Sequence, residues 1–167
     1  MPLVDYEDGS KVIEGIPIYY QGNTNTCAQA CITSILNYWG YNVRYEDIIA
    51  DTCGNNMVGM TIERMMWYFR RYNLKSLSYG GNLAKLKALI DKGYPTIVSF
   101  DEDTYYHVVV VNGYNDYREV IYYIDSEEGD IMEESYYDFI KAWGRQRRSF
   151  GFSDLQIPNL MLEIRPS

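Results

Sequence analysis

Apolar residues recur along the first half of this chain with a helical period, and beyond the middle they gather into short β-branched runs. Between Cys27 and Trp39 the positions Ala30, Cys31, Ile35, Leu36 and Trp39 fall at helical spacing, and Gly40 stands where a helix takes a left-handed closing residue. Tyr45 to Ala50 predicts a short second helix. Thr61 can cap a third through Ile62, Met65, Met66 and Phe69, and Asn82 a fourth through Leu83, Leu86, Leu89 and Ile90 that Gly93 closes. The adjacent Met65 and Met66 read as core packing. After Pro95 the pattern changes. Thr96 to Phe100 and His107 to Val111 predict strands, Asn115 to Arg118 is turn-like, and Glu119 to Asp125 returns as a hairpin partner. A helix over Tyr136 to Trp143 and a strand over Leu160 to Ile164 end the pattern. Helices first and antiparallel strands afterwards predict an α+β fold, with an N-terminal helical half packed on a C-terminal antiparallel sheet. Residues 1–15, acidic and weakly patterned, read as an N-terminal arm leading into a single domain over 16–167. No repeat or low-complexity segment divides that domain.

Composition narrows the function classes. The 167 residues, 47% hydrophobic and 23% charged, suit one globular domain, and the apolar runs are too short to cross a bilayer. The start lacks the basic and apolar regions of a secretory signal. A net charge of −8 argues against nucleic acid as a partner, since Lys and Arg must dominate a face that meets phosphates. Arg145, Arg147 and Arg148 form a local basic cluster that reads as solvated surface. Three cysteines cannot pair completely, so a reducing, cytoplasmic setting is the expectation. Eighteen tyrosines supply rigid amphipathic area, suited to a groove as well as to filling core and surface.

The chemistry gathers around a solitary imidazole, because His107 is the only histidine and Cys27 follows Gln21 by six positions at the head of the first helix. Unpaired amides and the helix dipole favour an anion there. With the hairpin turn centred near Asp116 or Tyr117, the residue opposite His107 is at about position 125 or 126, which selects Asp125. Asn112 lies about 16 Å along the same extended strand, and Asp116 is in the turn at its far end. The set predicts a thiol nucleophile at Cys27, a proton shuttle at His107 and an orienting carboxylate at Asp125. The Gln21 amide and the Cys27 N–H are the candidate oxyanion donors. No cofactor is needed, and the partner implied is a peptide or protein substrate. The sharpest rival is a Cys₃His zinc site from Cys27, Cys31, Cys53 and His107. Cys-x₃-Cys on one helix is not the usual knuckle, and Cys53 runs into Gly54, Asn55 and Asn56, so metal ligation is not expected. A catalytically silent peptide-binding module, and a thiol acyltransferase or deamidase with the same residues, remain as alternatives.

At these motifs the chain resembles the C39 family of papain-like cysteine peptidases, the bacteriocin-processing endopeptidases and their stand-alone relatives. The resemblance runs from Ile16 to Ile164. Gln21 with Cys27 matches the family's oxyanion glutamine and nucleophile, Tyr106 to Tyr114 its histidine strand, and Ile124, Asp125 and Ser126 its aspartate. Gly93 to Val98 and Tyr137 to Trp143 are similar to its flanking signatures. The likeness implies a papain-like fold with a cleft between helical half and sheet. Ala28 stands where the family often has glycine, and Ser126 where proline is common. The double-glycine specificity of transporter-linked members does not transfer to a chain read without a transporter segment, and Gly80-Gly81 reads as a loop before a helix.

Overall fold

The computed structural model describes residues 2–22, 24–52, 60–101, 106–144 and 159–167, so Cys53 and the Arg145, Arg147 and Arg148 cluster lie outside the described residues. Five helices are present among them: α1 (Cys27–Tyr38), α2 (Tyr45–Thr52), α3 (Ile62–Arg70), α4 (Leu83–Asp91) and α5 (Tyr136–Trp143). Their ends follow local chemistry. The Thr61 hydroxyl accepts from the Arg64 amide at 3.2 Å, the Asn82 side-chain Oδ1 from the Lys85 amide at 2.8 Å, and the Ser135 hydroxyl from the Asp138 amide at 3.1 Å. Gly40 beyond α1 and Gly93 beyond α4 take φ of +99° and +78°, a conformation that costs glycine little.

The strands are β1 (Leu3–Asp5), β2 (Ser10–Ile13), β3 (Leu74–Gly80), β4 (Thr96–Asp101), β5 (Tyr106–Asn115), β6 (Val120–Asp125), β7 (Asp130–Ser135) and β8 (Leu160–Pro166). They form one antiparallel sheet in the order β1-β2-β5-β4-β8-β3, with β6 on the other edge of β5 and β7 beyond β6. The ten-residue β5 is the spine. On one edge it pairs with β4 through residues 106–111 and with β2 through 113–115. Residues 3–13 are therefore part of the sheet rather than an arm outside it. β1 is the edge and β2 lies between it and β5, and at three and four residues both are too short to show a period.

Two other strands also escaped the periodicity. β7 is an edge strand whose Asp130, Glu133 and Ser135 meet solvent or lie at its margin, so it presents no apolar run. In β3 the inward position after Leu74 is Ser76, fully buried with its hydroxyl donating to the Met66 carbonyl at 3.0 Å, which masks the alternation. The double glycine closes this strand: Gly80 pairs with Leu160, and the Gly81 amide donates to the Asn159 carbonyl at 2.8 Å. A Cβ on Gly81 would lie 1.9 Å from the Met161 sulfur.

α1 is buried on all sides from Ala28 to Leu36, deeper than a one-faced amphipathic helix. Its polar residues are paired to allow this. Gln29 donates to Thr52 of α2 at 3.1 Å, and the Thr33 hydroxyl returns to the Gln29 carbonyl at 2.7 Å. Ile32, Ile35 and Leu36 join Val108 to Val111 of β5 in one core that continues through Phe69, Leu86, Ile90 and Phe139.

Between Val111 and Gly113 the β5–β6 register shifts by one residue, a bulge. At Gly113 the backbone of β2 comes so close that an added Cβ would stand 2.7 Å from the Lys11 carbonyl oxygen. Gly113→Ala is therefore expected to destabilise the protein by roughly 1–3 kcal/mol, since backbone and not a flexible side chain must yield. Urea denaturation would register it, and an unchanged midpoint would mean that β2 is free to move away.

Candidate active site

Cys27 is the first residue of α1 and half-buried. Thr26 occupies the N-cap position but gives no side-chain acceptor to the first turn. Its hydroxyl is engaged instead with Thr24 at 2.5 Å and with the Tyr45 hydroxyl at 2.6 Å. One helical turn on, the Cys31 thiol donates to the Val108 carbonyl at 3.6 Å, fixing the height of α1 against β5. Cys31 is buried, and burial pushes its thiol pKa well above the usual range, as expected of a core residue. Val108 follows His107, so the same contact sets Cys27, one turn earlier, at the histidine's end of the strand.

His107 is 2% exposed, and its Nε2 is 2.6 Å from Asp125 Oδ1. Hairpin parity explains why these two can meet. Val111 pairs with Tyr123, and His107 and Asp125 each stand an even number of residues away, so both project from one face of the sheet. They are not direct partners. The bulge moves the nominal residue opposite His107 on to Glu127, and the β5–β6 ladder stops at Val110 and Ile124. Asp125 reaches the ring from the start of a turn, in which its Oδ1 also accepts the Glu127 amide at 3.0 Å and its carbonyl accepts Gly129 N–H at 2.8 Å.

The other possible orienters are placed elsewhere. Asn112 is buried within the bulge, and Asp116 at the far end accepts from Lys87 at 2.7 Å and from Tyr136 at 2.6 Å.

Burial opposes charge on the His107 ring, but hydrogen bonding to Asp125 and to Cys27, with the charges of both, outweighs it and raises the pKa to about 10. Burial likewise opposes charge on Asp125, whose pKa is nonetheless lowered by the His107 ring and the Glu127 amide. The two groups form a tightly coupled pair, and the direction common to both is an imidazolium held by a carboxylate at neutral pH. Nδ1, on the ring's other side, is buried, with the Glu127 carboxylate 3.6 Å away.

Gln21 lies on the segment entering α1, nearly buried and held at both ends of its amide. Its Nε2 donates to the Thr24 carbonyl at 2.6 Å, and its Oε1 accepts from the Ser126 hydroxyl. The Gln21 backbone N–H donates to the Ser126 carbonyl at 2.9 Å. The turn that carries Asp125 thus also carries the anchor of Gln21, and the four residues singled out in the sequence converge on one end of β5.

Glu127 was not anticipated: its Oε1 is 3.6 Å from His107 Nδ1. Register arithmetic through the bulge is the only signal that could have found it. Among the described residues, His107, Asp125 and Glu127 are the one group with metal-ligand spacing, and no cysteine belongs to it. Nε2 and Nδ1 point to opposite sides of the ring, so the two carboxylates address different nitrogens instead of one shared centre. No described helix is long and apolar enough to cross a membrane.

Comparison with known proteins gives this geometry a context. The model of the Peptidase_C39 like family matches residues 13–149. The fold is similar to a double glycine motif protease from an AMS/PCAT transporter, solved in complex with a leader peptide. That likeness has a TM-score of 0.67 at 20% identity, over 92% of this chain and 93% of the other. It is similar as well to the peptidase domain of Streptococcus ComA, a bifunctional ABC transporter involved in quorum sensing, with a TM-score of 0.68 at 17% identity over 92% and 100% of the two chains. No curated protein sequence matches the chain.

A single histidine makes the electrostatics directly measurable. The one imidazole resonance in a carbon-detected titration is expected to stay at its imidazolium position through neutrality and to move with a midpoint near 10, well above the ordinary 6.5. Because the folded pKa is raised, His107 contributes stability in full below about pH 6.5 and loses it as pH rises toward 10. Asp125, whose pKa is lowered, contributes above about 3.8 and loses that contribution in acid. A midpoint near 6.5 would show that the buried ring is neutral at pH 7.

Proposed function

The chain belongs to the Peptidase_C39 like family, and from that premise we propose that it is a thiol peptidase cutting a peptide bond with Cys27, His107, Asp125 and Gln21. The observation that carries the reading is the buried His107–Asp125 bond at 2.6 Å, set beside the first residue of α1. A solitary histidine held by a carboxylate, with its other nitrogen toward a thiol, has little structural reason to be buried, since desolvation of a charged ring is costly.

In the proposed mechanism the Cys27 proton rests on His107 Nδ1, so the ring is the imidazolium, and the thiolate sulfur forms a bond to the carbonyl carbon of the substrate. Asp125 keeps Nε2–H occupied, so the ring presents one nitrogen to the thiol throughout. The carbonyl oxygen gains the electron pair and is held by the free N–H of the Gln21 amide together with the Cys27 backbone N–H. As the carbon–nitrogen bond breaks, His107 returns the proton to the departing amine, leaving a thioester. Water, deprotonated by the same imidazole, then releases the acid and restores the thiolate beside the imidazolium. The reaction is acyl transfer to water, carried by three side chains, the Gln21 amide and one backbone N–H.

A peptide as substrate class is supported by the similar protease that was solved with a leader peptide bound. Tyr20, largely exposed beside Gln21 and packed against Gly129 of the Asp125 turn, offers a flat apolar surface where an extended peptide could lie.

Three measurements test the assignment. Cys27→Ala is expected to abolish cleavage of a peptide library read by mass spectrometry while leaving the circular dichroism unchanged, and iodoacetamide should label Cys27 well before buried Cys31. Asp125→Asn should lower kcat by orders of magnitude, as loss of an orienting carboxylate does in triads of this type. Product masses showing amine transfer or deamidation, or no turnover with an unreactive Cys27, would replace hydrolysis with another function.

A further inference from the structure

The turn after Asp125 carries a second residue placed to act on the site. Ser126 is 4% exposed, and it contacts Gln21 twice: its carbonyl accepts the Gln21 backbone N–H at 2.9 Å, and its hydroxyl donates to Gln21 Oε1. On the opposite end of the same amide, Nε2 donates to the Thr24 carbonyl at 2.6 Å, while the Thr24 hydroxyl donates to the Gln21 carbonyl at 2.8 Å. A primary amide is planar and has two distinguishable ends. The Thr24 carbonyl can only accept, so it demands the nitrogen, and a donor is then required at the oxygen. With both ends satisfied the plane is fixed, and so is the direction of the second Nε2 hydrogen. That hydrogen is the one left for an oxyanion.

We propose that Ser126 is a positioning residue for the Gln21 amide, and that it ties the oxyanion donor to the same turn that supplies the Asp125 carboxylate. This rests on the thiol-peptidase reading of the site. Ser126 touches neither thiol nor imidazole in this role and acts only through Gln21. Replacing it with alanine leaves a nearly buried amide oxygen without its donor, and the amide can then rotate away from the plane in which its free hydrogen faces the cleft.

The two reactions of one thiol separate this role from a general structural one. Alkylation by iodoacetamide displaces iodide at a methylene carbon and develops no oxyanion, so it reads the thiol and imidazole alone. Peptide hydrolysis needs the oxyanion donors as well. For Ser126→Ala, kcat on the library peptide that the wild type cleaves fastest is expected to fall roughly tenfold to a hundredfold, short of the hundred- to thousandfold typical of deleting a donor outright. KM and the iodoacetamide rate should stay within about twofold. Ser126→Thr, which keeps the hydroxyl, should restore turnover. In a Gln21→Ala background, Ser126→Ala should add little, because its effect passes through the missing amide.

Full turnover by Ser126→Ala would overturn the proposal, as would an equal loss of alkylation and turnover, a failure of threonine to rescue, or an undiminished loss in the Gln21→Ala background. Those outcomes leave the peptidase reading standing. A wild-type protein without Cys27-dependent turnover would remove both.

Discussion

A charged ring in the interior is the constraint around which this molecule is arranged. Burying an imidazolium costs far more than one neutral hydrogen bond returns, so its presence requires a carboxylate at hydrogen-bond distance and a scaffold that does not let the two drift apart. The His107–Asp125 contact supplies the first requirement. The second is met by β5, which is paired on both edges along much of its length and overlaid by α1, with His107 itself paired to Phe100 of β4. The carboxylate comes from a turn, yet that turn is closed by bonds from the Glu127 and Gly129 amides back to Asp125 and so behaves as a rigid extension of β6.

The other half of the site depends on placing a helix end against that strand. α1 is buried all round and cannot slide without breaking the Gln29–Thr52 bond, the Cys31–Val108 contact and the apolar packing between them. Cys31 and Cys27 divide the labour of two similar residues through position alone. The one deep in the core has its pKa raised by burial and serves as a spacer, whereas the one at the open helix end is reachable. Thr26 at the N-cap turns its hydroxyl outward to Thr24 and Tyr45, so its side chain does not take up the first amides of the helix. A stability-optimised helix would spend a side chain there. A helix end that is to receive an anion has reason not to.

Family membership and the similarity to two transporter peptidase domains agree with the arrangement while leaving the residues of this chain to be argued on their own. At identities of 20% and 17% the likeness is one of fold. The Ser126 hydroxyl, standing where the resemblance led one to look for proline, and the Glu127 carboxylate beside Nδ1 are features of this sequence, and they show where its site has its own chemistry.

Much of this was legible beforehand. Five helices announced themselves because their caps and closing glycines are local, set by residues three or four apart, and the central strands because β-branched runs need no partner to be recognised. The nearness of Asp125 to His107 was within reach because counting along a hairpin brings the two to one end of the sheet, although they are not register partners. The strands β1, β2, β3 and β7 were not legible, since strands of three or four residues, an edge strand and a strand with a buried serine carry no readable apolar alternation, and what makes them strands is the neighbour each pairs with. For the same reason the amino acid sequence named Cys27, His107, Asp125 and Gln21 but could not say which groups hold them. A bulge shifted the register by one residue and brought Glu127 to the ring, and a loop from the N-terminal half folded onto Ser126. The Gln21 and Ser126 bond joins residues 105 positions apart, and only closure of the whole chain determines it.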